Sequence, residues 1–305
     1  MSRLRLPLVF IACSLFWAAL GLLLGASVRH AQAGFVWGLL FGIGYVVFGS
    51  WASEKFPSDI WEARLLENEW APNLYEMLNE LSAKMEVPVP TLYSVPSVQP
   101  NAFVVASRDG DSAIIVTNGL TRHLEKREVQ AVVALMMARL ATDAMPVWTI
   151  AATLAGLPLH LGLVLRRRRG LEWLGTALLG FFALPAAGLV RLAWSEGVVT
   201  AADFHAAHLA ESPDALEAAL LKIEASWAVG VAGQEEQKPF GVNPATALLF
   251  AAPPLARSVP KGDWWPRLQA GFPSMRPDAA VRAERFLARP LRVSPDPGMQ
   301  TRDEH

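Results

Sequence analysis

VQAVVALMMARLATDAM, residues 129–145, is the stretch that decides how this chain is read. It continues a helix that starts near Glu125 and runs straight into an apolar segment from Pro146. Its centre is aliphatic or thioether, with one permanent cation, Arg139. Met136 and Met137 form an adaptable apolar patch of the kind that fills irregular space. A buried guanidinium needs a partner, because an unpaired buried charge is very costly. Asp203, on a later helix, is the expected partner, within ~6 Å by the reach of a salt bridge. Asp143, one turn on, and open solvent are the other ways to satisfy Arg139.

Outward from this helix the chain turns apolar in blocks. It has 305 residues, 52% of them hydrophobic, with a mean hydropathy of +0.28. Those values exceed an ordinary soluble domain, and the blocks point to membrane segments. Four are long enough to span: residues 8–28, 34–52, 146–165 and 171–193. The start Met-Ser-Arg-Leu-Arg and the later Ala31-Gln32-Ala33 imitate a signal peptide, but the apolar run is long and a second span follows, so an uncleaved anchor is expected. Trp51, Trp148, Trp173 and Trp194 fall near span ends, where the ring favours the interface. Gly21 and Gly25 face the spacing of Gly34, Gly38 and Gly42, which predicts close packing of the first two spans.

Charge excludes some classes and leaves orientation nearly tied. The net charge of −1 gives no support to a nucleic-acid partner. The single cysteine, Cys13, lies in an apolar run and can form neither an internal disulfide nor a thiolate metal site. With the N-terminus inside, Arg3, Arg5, Lys55, Arg64, Arg139 and Arg191 lie inside, and Arg29 with Arg166 to Arg169 lie outside.

The remaining sequence reads as soluble structure. A helix is expected over 73–86, stopped by Pro88. Strands are expected over 91–95, 102–106 and 113–116, the last two a hairpin around Arg108-Asp109-Gly110-Asp111. A second amphipathic helix starts at Ser212-Pro213 and buries Leu216, Leu220, Ile223 and Trp227. The organisation is therefore two membrane helices in 1–52, a soluble part in 53–145, two more membrane segments in 146–193, a second soluble part in 194–289 and a disordered tail in 290–305.

Several motifs carry a family resemblance. They are Pro100-Asn101-Ala102-Phe103, Thr117-Asn118-Gly119-Leu120, the run TIAATLAG at 149–156, and Asn243-Pro244-Ala245-Thr246-Ala247, behind two N-terminal spans. In that order they resemble the HtpX-like membrane zinc metallopeptidases, which include relatives of the CAAX prenyl endopeptidases. The resemblance implies a mainly α fold with a small β-sheet. That fold is a multi-pass α-helical membrane protein with a zincin-like (minigluzincin) soluble domain, in a bacterial inner membrane with that domain cytoplasmic. Active members are associated with endoproteolysis in membrane-protein quality control.

The residues that do the family's chemistry differ. The family's H-E-x-x-H aligns with Leu135, Met136, Met137, Ala138 and Arg139. Two imidazoles one turn apart and a glutamate base are what a catalytic zinc needs. Its glutamate ligand aligns with Val199, and a late histidine segment becomes Ser274-Met275-Arg276-Pro277-Asp278. The expectation is accordingly no catalytic residue, no zinc and no other cofactor. The chain would be a catalytically inactive pseudopeptidase, an accessory, regulatory or scaffold subunit holding a membrane protein or membrane complex. Its edge strand, Ala102, Phe103, Val104 and Val105, would take an added strand from that partner. One alternative is a metal-dependent endopeptidase with an unconventional site at Asp203, His205 and His208, the histidines at i,i+3. Another is a purely structural subunit.

Overall fold

The chain is described from a computed structural model over residues 2–60, 63–209, 213–233, 244–252 and 281–282. The 274–278 segment, the 290–305 tail, Ser212, Asn243 and the side chain of Trp227 lie outside the described residues. The architecture is mostly helical with one small sheet. Helices α1 (Ser2–Ser27) and α2 (Ala31–Ile60) come first, then strand β1 (Arg64–Leu65), helix α3 (Pro72–Met85) and strands β2 (Thr91–Val95), β3 (Ala102–Ala106) and β4 (Ser112–Thr117). They are followed by α4 (Asn118–His123), α5 (Lys126–Leu140), α6 (Met145–Arg166), α7 (Glu172–Ala193), α8 (Glu196–Leu209) and α9 (Pro213–Gly233). A 3-10 turn covers Pro244–Leu249.

Helices α1, α2, α6 and α7 are long and apolar enough to cross a membrane. The first two form a hairpin with no room between their backbones. A Cβ on Gly21 would lie 2.3 Å from the Gly34 carbonyl oxygen, and one on Gly25 would lie 2.8 Å from the Gly34 Cα. This is the close packing that the glycine spacing predicts. A second seam, between Gly162 of α6 and Gly175 of α7, is equally tight: a Cβ on Gly175 would meet the Gly162 oxygen at 2.6 Å.

Helix α6 differs from the other three. In its apolar stretch 67% is buried inside the protein, against 22%, 17% and 28% for α1, α2 and α7. Of the expected interface tryptophans, Trp148 is internal and Trp194 is half-buried against it. Trp148 is fully buried, donates from Nε1 to Ala193 O at 3.0 Å and stacks on Trp194 at 5.3 Å. Arg5 closes the same corner, donating to Ala193 O and Trp194 O at the end of α7. It thereby satisfies carbonyls that a helix terminus leaves without partners. Trp51 and Trp173, by contrast, are exposed.

The sheet order is β1-β2-β4-β3, with β3 and β4 an antiparallel hairpin and β2 parallel to β4. The Asp-Gly turn forms as expected: Ser107 N–H donates to Asp111 O, and Gly110 takes φ +98°, a conformation that costs glycine little. Helix α3 ends at Glu86 in the left-handed region, before Pro88. Helix α5 opens with a reciprocal cap, in which Glu128 accepts from Glu125 N–H at 2.8 Å. It packs against β3, α3, α8 and α9, so the core of the aqueous part surrounds it.

Candidate functional site: a buried arginine centre beside the sheet edge

Three of the sequence motifs converge on β3. Asn101 N–H donates to Thr117 Oγ1 at 2.8 Å, and Thr117 Oγ1 donates back to Asn101 O at 3.0 Å. Gly119 sits so close to the preceding loop that a Cβ would meet Val98 O at 1.9 Å, which explains the glycine in Thr117-Asn118-Gly119-Leu120. At the other end of the strand, Ala106 N–H donates to Thr149 Oγ1 at 3.1 Å, fixing β3 to the first turns of α6.

Leu135, Met136, Met137 and Arg139 of α5 and Val199 of α8 are all buried, and the two helices pack against each other. Arg139 is fully enclosed. Its Nη1 donates to Phe250 O at 2.6 Å and its Nη2 reaches Ala251 O at 3.5 Å. Asp203 of α8 takes a different direct partner from the expected one. Arg282 donates to it twice, Nε to Oδ2 at 2.7 Å and Nη2 to Oδ1 at 2.5 Å. Arg139 and Asp203 influence each other only through their charges. Burial and the neighbouring Arg282 push the Arg139 guanidinium down to about 9, and Asp203 opposes that shift, so it is still cationic at neutral pH. For Arg282 burial works in the same direction, but the charge and hydrogen bonds of Asp203 outweigh it and raise the pKa.

Other expected site residues stand apart. His205 and His208 are exposed, whereas Asp203 on the same helix is buried and committed to Arg282. The three do not converge on one point, and among the described residues no group of three His, Cys, Asp or Glu side chains could hold a metal. The β3 edge is not open for a partner strand either: Ala102, Phe103, Val104 and Val105 are buried, and Phe103 is already bridged to Phe250. Arg282 and Phe250 to Ala252 were invisible from the sequence as site residues. The signals near them were the Pro100–Phe103 motif, whose Asn101 donates from Nδ2 to Ala252 O at 2.8 Å, and the 243–247 motif, which ends three residues before Phe250.

Comparison with known proteins supplies the family. The profile of peptidase family M48 matches residues 68–259. The chain is 30% identical to the protease HtpX homolog of Pseudarthrobacter chlorophenolicus, over 90% of this chain and 94% of that protein. It is 28% identical to the protease HtpX homolog of Pelotomaculum thermopropionicum, over 84% and 91%. It is 33% identical to that of Aquifex aeolicus, over 70% and 73%. No solved structure matches this chain.

These findings correct two expectations. The chain was expected not to be an enzyme, yet the matched family is one of peptidases and the relatives are named proteases. It was expected to need no cofactor, yet HtpX-like members of this family are zinc metalloproteases, so zinc is what membership implies. The α5–α8 centre itself does not fit that ion. A leucine, a thioether, a guanidinium and a valine stand there, and the buried carboxylate of Asp203 already holds an arginine. Motifs, fold and similarity along nearly its whole length agree that the chain belongs to peptidase family M48, as an HtpX-like member.

Proposed function

We propose that this protein works on polypeptide at the membrane, in the quality-control role associated with the family, and that its hydrolytic chemistry is carried by groups other than those at 135, 136, 139 and 199. The observation that carries this reading is the family match over residues 68–259, which takes in β3, α5 and α8. The names of the relatives support hydrolysis. The side chains at those four positions support an unconventional location for it, because none of them is an imidazole, carboxylate or thiolate that could hold zinc, or a base.

In this proposal the substrate class is membrane protein and the bilayer is the constant neighbour. The aqueous part faces the cytoplasm across a bacterial inner membrane. It is assembled from residues 53–145 and 194–289, with membrane segments in 1–52 and 146–193. The test is the full chain in nanodiscs with fluorescein-labelled casein, zinc and then a chelator. The expected result is casein binding and chelator-sensitive cleavage, unchanged by Met136→Leu. Casein binding without cleavage overturns the hydrolysis, and a preparation that neither binds nor cleaves casein overturns the whole reading.

A further inference from the structure

A short segment of the chain lies where an incoming strand would pair. β3 is the outer strand of the sheet and is bonded to β4 along one side. On the other side Phe250 bridges Phe103 in the antiparallel sense, and Ala251 N–H donates to Ala102 O at 2.7 Å. The contact is an isolated bridge rather than a fifth strand. Buried side chains from separate parts of the chain supply the rest of the hold. Arg139 donates to Phe250 O, Arg282 donates to Ala251 O at 2.8 Å, and Asn101 donates to Ala252 O. Three successive carbonyls thus each receive a buried donor.

We propose that Phe250, Ala251 and Ala252 form a releasable latch on the polypeptide-binding edge of β3, pinned by Arg139, Arg282 and Asn101, and that polypeptide reaches β3 only when the latch lets go. The proposal deepens the functional reading above and rests on it. Addition of an antiparallel strand is how an open sheet edge takes up extended peptide, and the latch occupies that side in that direction. The pinning groups bind main-chain oxygens, which every polypeptide carries, so they serve a replacement strand equally well. The latched state also has an unmet donor: Arg139 Nε is buried with no hydrogen-bond partner. A segment that meets the strand at an isolated bridge, above an incompletely satisfied guanidinium, is suited to exchange. The shape of the occupied space favours an extended chain with one aromatic residue, stacked on Phe103 as Phe250 is at 4.6 Å, followed by small side chains.

Three forms of the full chain in nanodiscs test this. Arg139→Met removes a pin and keeps apolar bulk. Ala251→Pro removes the N–H that bonds Ala102 O and fixes φ at that residue. Phe103→Cys with Phe250→Cys, in a Cys13→Ser background, locks the latch on oxidation. Bridged residues have Cα atoms about 4.5–5.5 Å apart, within disulfide range. The measurements are amide hydrogen exchange of the 244–252 peptide and binding of fluorescein-labelled casein. Expected are exchange at least tenfold faster in Arg139→Met, casein affinity about tenfold higher in both single variants, and no binding by the locked form until it is reduced. Unchanged exchange with a native melting curve, or equal casein binding by locked and reduced forms, overturns the latch. Faster exchange with no casein binding by any form overturns the polypeptide reading instead, and the gating with it.

Discussion

The α1–α2 seam and the arginine centre bring helices together by opposite means. At the seam, Gly21, Gly25, Gly34 and Gly38 carry no side chain, so that main chain meets main chain. At the centre, two guanidiniums, one carboxylate and three carbonyls are enclosed among aliphatic residues. In lipid, helix association gains little from hydrophobicity, so close van der Waals contact has to supply it. In the aqueous half the core is already apolar, and a buried charge survives only with hydrogen-bonding or ionic partners. The contrast teaches that polarity marks the weak point of the aqueous half and bulk marks the weak point of the membrane half.

The largest effect is expected from Arg282→Met. It leaves Asp203 buried without its bidentate partner and is expected to destabilise the fold by ~3–5 kcal/mol, measured by denaturant unfolding in micelles. Adding Asp203→Leu is expected to recover most of that loss, because replacing both partners removes the unpaired charge. A double variant as unstable as the single would break the comparison from the polar side. Next comes Gly21→Val, which puts a Cβ within 2.3 Å of a backbone oxygen. Overpacking of this kind costs ~1–3 kcal/mol and is expected to separate α1 from α2, read as a longer spin-label distance across the hairpin. Trp148→Phe should then cost ~1 kcal/mol, since it keeps the ring and loses the bond to Ala193 O. The smallest change belongs to Lys222→Met. Its exposed ammonium bridges α9 to Glu128 of α5, and the melting midpoint is expected to stay essentially unmoved.

Much of the fold was legible because local chemistry carried it. The glycine spacing, Pro88, the Asp-Gly turn and the motifs around β3 each act within a few residues or along one helix face. The burial of Trp148 was not legible, since a tryptophan at a span end reads as an interface anchor unless its partner, Ala193 of another helix, is known. The candidate site was legible in half. Arg139 and Asp203 were identified as buried and in need of partners, which is where the structure places them. The true partners, Arg282 and the carbonyls of Phe250 and Ala251, are 79, 111 and 112 residues away along the chain, and no periodicity reports a contact of that range. The expectation of an inactive subunit gave four substituted positions more weight than the similarity of the whole chain.

The burial of α6 has a practical corollary. Its first turns hold the end of β3 through Thr149, and further along it accepts the Tyr45 hydroxyl of α2 on Leu154 O at 2.6 Å. One rod is therefore shared by the part bathed in water and the part bathed in lipid. A fragment trimmed to the aqueous half alone would lose a wall of its own interior, and biochemistry on this protein belongs in a bilayer from the first purification step.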